Sequence, residues 1–155
     1  MDRVTHVAVA LGSNLGDRRG HLEYARSRLG SILTNLVVST SFDTEPVGVP
    51  GPQPQFLNAA AVGDTRLSAG ELLQALLEVE QERGRERPVP GAARTLDLDL
   101  VLFGNQILNE PGLVVPHPLF RARRFVLEPL AQIAPDMVDP VTGKTVGELL
   151  RLAIG

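Results

Sequence analysis

The sequence predicts an α+β fold: a four-stranded antiparallel sheet packed against two helices, with a C-terminal extension beyond them. Three observations carry this. Strand-like and helix-patterned segments alternate along the first two thirds of the chain. The clearest helix has both of its ends marked by capping residues. The last strand alternates leucine with aspartate residue by residue.

Val4 to Leu11 is short and β-rich and reads as the first strand. Gly12-Ser13-Asn14-Leu15-Gly16 breaks it, and Asp17 can cap a helix running to about Leu29. Leu36 to Thr44 reads as the second strand and Phe56 to Val62 as the third. Ser68-Ala69-Gly70-Glu71 is a capping-box pattern. Leu72, Leu73, Leu76, Leu77 and Val79 then recur at helical spacing, and Gly84 stands where a C′ glycine ends a helix. Thr95 to Phe103 is the fourth strand. Its Leu96, Leu98, Leu100 and Leu102 share one face, which leaves Asp97 and Asp99 together on the other. The order is β-α-β-β-α-β, that of a ferredoxin-like sandwich. After Gly104 come a Pro-rich extended piece from Pro111 to Pro118, a helical stretch near Leu127 to Ile133 and a short helix near Val146 to Ala153. Residues 1–155 are expected to form a single domain.

This topology places several segments at one edge of the sheet. The first strand ends there, the second ends there, and the third and fourth begin there. The Gly12 to Gly16 loop, the Pro46 to Gln55 loop, the Gly84 to Ala93 loop and Asp97 should therefore converge. The last two loops are longer than ordinary connections, and long loops in compact domains are often functional.

Composition narrows the chemistry. A formal net charge of −3 argues against a dedicated nucleic-acid binder. With no cysteine, disulfides and thiolate metal sites are excluded. No apolar run approaches the roughly 20 residues of a membrane span, and Met1-Asp2-Arg3-Val4-Thr5-His6 lacks a signal-peptide core. A cytoplasmic monomer acting on small molecules, without nucleic-acid or membrane partners, is the expectation.

Asp97 and Asp99 carry the strongest chemical signal. Alternate strand residues lie about 7 Å apart and point the same way. Two such carboxylates repel unless a cation lies between them. Mg²⁺ takes oxygen ligands and often uses one or two carboxylates with substrate phosphates. The competing reading is a solvated strand face. Arg83, Arg85, Arg87 and Arg94 flank the Gly/Pro loop leading into this strand. Alone they fit a surface salt-bridged with Glu82 and Glu86. Beside a diacidic strand they favour a polyphosphate site, because guanidinium forks match phosphate oxygens. Glu80 lies on or near the apolar face of its helix, either orienting an arginine or substrate or sitting at the rim. Gly12 to Gly16 lacks the Gly-Lys-Ser/Thr ending of a Walker A loop and reads as a tight turn. Phe56, Asn58 and Phe125 are candidates for a planar ligand, with both rings in the core as the plainer alternative. His117, between two prolines, either packs in a turn or meets a phosphate.

Taken in order, these blocks resemble the 6-hydroxymethyl-7,8-dihydropterin pyrophosphokinase family over nearly the whole chain. The resemblance runs through Ala10-Leu11-Gly12-Ser13-Asn14-Leu15-Gly16-Asp17, Thr44-Glu45-Pro46-Val47-Gly48 and Phe56-Leu57-Asn58-Ala59-Ala60. It continues in Gly84-Arg85-Glu86-Arg87, Arg94-Thr95-Leu96-Asp97-Leu98-Asp99-Leu100, Val115-Pro116-His117-Pro118 and Arg123-Arg124-Phe125-Val126-Leu127-Glu128-Pro129-Leu130. It implies transfer of the β,γ-diphosphate of ATP to a pterin hydroxymethyl group, with AMP leaving. By similarity, Asp97 and Asp99 hold two Mg²⁺ ions, and Arg85 and Arg94 stabilise the transferring group. Arg87, Leu100, His117 and Arg123 match the ATP site. Phe56 and Phe125 match the aromatic pair around the pterin, Asn58 its amide reader, Thr44 and Val47 the adjoining loop, and Glu80 a site acid. The chain departs from some members in having no tryptophan before Arg94, and in carrying Phe56 where they have tyrosine.

Overall fold

A computed structural model of the protein describes residues 4–44, 55–83 and 95–153. The strands are β1 (Thr5–Ser13), β2 (Thr34–Val38), β3 (Phe42–Thr44), β4 (Phe56–Thr65) and β5 (Asp97–Phe103). They form one antiparallel sheet in the order β2-β4-β1-β5, with β3 also paired to β4. Helices α1 (Arg18–Ile32) and α2 (Ala69–Glu82) complete the βαββαβ frame. The fold class read from the sequence holds.

The elements form for local reasons. Asp17 caps α1 by accepting the Gly20 N–H. The Ser68–Glu71 capping box of α2 is present in both directions. Helix α2 buries Leu72, Leu76 and Val79 against the sheet. Each such aliphatic burial contributes about 2 kcal/mol relative to exposure. Gly84, expected to end α2, lies outside the described residues.

Several expectations change. The second strand divides into β2 and β3. At the break Ser39 pairs with Ala60 through its backbone N–H and its hydroxyl, and Thr40 donates its N–H to Gln132. Local polar side chains thus replace part of the ladder. Strand β1 runs past Leu11 through Gly12 to Ser13, so Gly12 is a strand residue and not part of a turn. The turn comes at Gly16, whose φ of 71° suits glycine. Leu102 does not share a face with Leu98 and Leu100. The register slips between Ala8 and Val9, inserting Val101 as an extra residue in β5. Such a bulge breaks the two-residue alternation, so Val101 and Leu102 both turn to the second core. Pro111 to Pro118 is not simply extended. Its first half belongs to a hairpin of β6 (Leu108–Glu110) and β7 (Leu113–Val115), turned at Pro111-Gly112 with Gly112 at φ 77°.

The C-terminal extension is a third layer. One core lies between the sheet and α1 and α2, built on Val7, Val9, Leu11, Leu29, Leu72 and Leu98. A second lies on the opposite face, where α3 (Arg124–Ile133) and α4 (Val146–Leu152) cover Ala8, Ala60, Val62, Val101 and Leu102. Helix α3 begins three residues earlier than the apolar spacing suggested, which carries Phe125 into it.

Candidate active site

The register gathers the sequence candidates at one end of the sheet, on the face covered by α3. Gly12 pairs with Asn58 on one side and with Asp97 on the other. Ala10 pairs with Ala60 and Asp99 in the same way. Paired residues in a sheet point to the same face. Asn58, Asp97 and Asp99 therefore rise from a floor of small residues, Ala10 and Gly12. The ends of β3 and β4 join them through the Thr44–Phe56 pair. The described shoulders of the expected loops converge as the topology required.

Asn58 is nearly fully buried, and its amide nitrogen donates to the Thr44 hydroxyl. A Cβ on Gly12 would stand 3.2 Å from the Asn58 Oδ1 and 3.8 Å from a Phe56 ring carbon. Gly12 thus leaves the space in which the amide oxygen and the ring sit. Asp97 and Asp99 are half-buried at the start of β5. Among the described residues they belong to no group of three or more potential metal ligands.

Glu80 is buried, at 2% exposure, and its Oε2 accepts the Leu98 N–H at 2.6 Å. Leu98 sits between the two aspartates. Strand β5 is the last in its sheet, so this bond ties its outer edge to α2. Of the two sequence readings, the rim position is excluded. The carboxylate fixes the strand that carries the acids.

His117 and Arg123 enter from the extension, just past the cis Val115–Pro116 peptide. The His117 backbone N–H donates to the Val101 carbonyl at 2.9 Å, anchoring the turn to β5. Its Nδ1 accepts the Leu119 N–H at 3.2 Å, which leaves Nε2 to carry the proton. Burial lowers the His117 pKa and the nearby Arg123 charge lowers it further, while Asp97 acts in the opposite direction. The imidazole is therefore neutral at pH 7. The Arg123 guanidinium lies 5.5 Å from the Phe125 ring centroid, a cation–π contact at the start of α3. Phe56 and Phe125 are both half-buried, and Phe125 packs against the second core. Leu100 is buried in the first core, facing α1 and α2. Val47, Arg85, Arg87 and Arg94 lie outside the described residues.

Sequence reasoning missed a buried ion pair in the turn that precedes Arg123. Asp139 is fully buried and receives Arg121 through two guanidinium nitrogens, at 2.6 and 3.0 Å. The Thr142 hydroxyl and the Val141 N–H complete its shell. This network packs beside the 3₁₀ turn Phe120–Ala122, which leads directly into Arg123. Nothing in the spacing of Arg121 and Asp139 announced the pair.

The carboxylate pair, the buried amide beside an aromatic ring, and the histidine near an arginine make up the candidate site. The comparisons sharpen this. Residues 8–135 match the model of the 7,8-dihydro-6-hydroxymethylpterin-pyrophosphokinase (HPPK) family, and the chain belongs to that family. It is 43% identical over 149 residues to the 2-amino-4-hydroxy-6-hydroxymethyldihydropteridine pyrophosphokinase of Pseudomonas aeruginosa, covering 95% of this chain and 91% of that one. The Bacillus subtilis protein of the same name is 41% identical over 136 residues, covering 86% and 81%. Among solved structures, a Plasmodium falciparum HPPK-DHPS variant with pterin and p-hydroxybenzoate matches with a TM-score of 0.78 at 13% identity. That match covers 98% of this chain and 44% of that one. The present chain thus spans less than half of that two-part protein, and the likeness speaks for the fold alone.

Proposed function

We propose that the protein transfers the β,γ-pyrophosphoryl group of ATP to the hydroxymethyl oxygen of 6-hydroxymethyl-7,8-dihydropterin. The hydroxymethyl oxygen attacks the β-phosphorus. The bond from that phosphorus to the α,β-bridging oxygen breaks, AMP leaves with the oxygen, and the hydroxyl proton passes to solvent. The observation that carries this reading is the Gly12 pairing, which sets an amide suited to a heterocycle edge on one side and a diacidic strand on the other.

Each half of the site has a task. Phe56 and Phe125 offer ring faces to the pterin, and Asn58, held by Thr44, offers its amide to the ring edge. Val47 belongs to this half by sequence. His117, with its proton on Nε2, donates to a nucleotide oxygen, and Arg123 adds a fixed positive charge. Arg85, Arg87 and Arg94 are assigned to the triphosphate from the sequence. Reactions of this class depend mainly on positioning and charge neutralisation.

Asp97 and Asp99 are suited to two Mg²⁺ ions. They are hard oxygen donors, side by side on one strand face, and phosphate oxygens would complete the shells. Bound there, the ions would offset phosphate charge and align the nucleophile with the leaving group. Glu80 contributes by fixing β5 through the Leu98 N–H. The reading takes the enzyme as a cytoplasmic monomer. No helix among the described residues is long and apolar enough to cross a membrane.

A product assay tests the reaction. Purified protein with ATP, Mg²⁺ and the pterin should form AMP and pterin diphosphate one for one, and neither product when Mg²⁺ is chelated. ADP as the nucleotide product would mean single-phosphoryl transfer and would overturn the proposal.

A further inference from the structure

We infer that Arg18 is a positioning residue for the pterin half of the site, a role that rests on the assignment of Thr44, Phe56 and Asn58 to that half. Arg18 is the first residue of α1, immediately after the Asp17 cap. Its Nη1 donates to the Asp43 carboxylate at 2.9 Å and to the Gln55 carbonyl at 2.7 Å. Asp43 directly precedes Thr44, and Gln55 directly precedes Phe56. One guanidinium nitrogen therefore joins the two points at which the chain leaves β3 and enters β4.

The join matters because β3 is weakly held by its own ladder. It has three residues, each paired only with β4. Thr44 is its last residue, and the Thr44 hydroxyl takes the Asn58 amide N–H. A slip of β3 at this end moves the Thr44 hydroxyl and frees the Asn58 amide to rotate. Arg18 restrains that slip from outside the sheet, with the N-terminus of α1 as the anchor. The sequence runs Arg18 to Asp43, Asp43 to Thr44, and Thr44 to Asn58, and ends at the group assigned to the heterocycle edge.

The same contacts carry little of the global stability. Arg18 and Asp43 are partly exposed, at 33% and 53% of their side-chain surface, and exposed pairs of this kind are screened by water. Local geometry and overall stability can therefore be separated by experiment.

The test uses the full chain and the variants Arg18→Met, which keeps the stem and removes the donors, and Arg18→Lys. Pterin affinity is measured in the presence of a non-hydrolysable ATP analogue and Mg²⁺, with analogue affinity and Tm measured alongside. For Arg18→Met the pterin Kd should rise about three- to tenfold, the loss of one or two modest hydrogen bonds. The analogue Kd should stay within about twofold and Tm within about 2 °C, as for an exposed pair. Arg18→Lys should fall between Met and wild type. Asp43→Asn combined with Arg18→Met should cost less than the product of the two single effects, since both act through one contact. An unchanged pterin Kd in Arg18→Met overturns the inference. So does a parallel loss of both affinities with a fall in Tm, which would mark Arg18 as a general structural residue. Asn58→Ala is the control. If it too leaves pterin binding intact, the assignment of the pterin half falls; if it weakens binding while Arg18→Met does not, only the role of Arg18 falls.

Discussion

Gly12→Ala separates the demands of the site from those of the fold. The φ of Gly12 is not in the left-handed region, so alanine brings no backbone strain. What it brings is one methyl group 3.2 Å from the Asn58 Oδ1. The amide must then retreat by a few tenths of an ångström, but it is buried and tied to Thr44, so its retreat is resisted. Overpacking of this kind costs about 1–3 kcal/mol. Replacing glycine also restricts the unfolded chain, which returns about 0.4–1 kcal/mol. The net loss of stability then runs from near zero to about 2.6 kcal/mol, a Tm fall of at most about 10 °C for a chain of this length. The ligand meets the displaced amide and the ring beside it with no such offset. Pterin affinity should therefore fall by about 5- to 140-fold, following roughly tenfold per 1.4 kcal/mol. The assay is a pterin titration in the presence of a non-hydrolysable ATP analogue, with thermal unfolding in parallel. Wild-type pterin affinity with a raised Tm would refute the reasoning, because it would mean that the Asn58 amide is free to move.

Other changes probe the remaining supports. Glu80→Ala leaves the buried Leu98 N–H without its carboxylate and opens a cavity, so Tm should drop by about 5–15 °C and kcat should fall with it, read by calorimetry and steady-state rates. Glu80→Gln, which keeps an acceptor, should recover most of both. Asp97→Ala should abolish AMP formation while leaving Tm within a few degrees; near-wild-type turnover would remove the aspartate pair from the metal site. Burial alone would raise the Asp139 pKa, but Arg121, the Thr142 hydroxyl and the Val141 N–H together hold it below the ordinary carboxylate value. Its contribution to stability is thus fully present above about pH 4 and is lost as pH falls through the folded-state value. In Tm-versus-pH curves, Asp139→Asn should be lower than wild type at pH 7, and the gap should narrow below pH 4.

The sequence by itself determined the order of elements, because strands and helices differ in the period of their apolar residues and helix ends carry caps. It determined the chemistry of β5, because alternation alone puts Asp97 and Asp99 on one face, and it implied the common edge through the antiparallel order. Part of what it misjudged was register. Only the pairing with β1 shows that Val101 is an extra residue which turns Leu102 to the second core, and only the double pairing of Gly12 shows that it lies inside a strand between Asn58 and Asp97. The Glu80–Leu98, Arg18–Asp43 and Arg121–Asp139 contacts join residues far apart in sequence, and many other charged residues could have served as partners. A local pattern fixes the direction in which a side chain points, since that depends on a few backbone angles. What the side chain meets depends on how the layers pack, and that was decided by the tertiary structure.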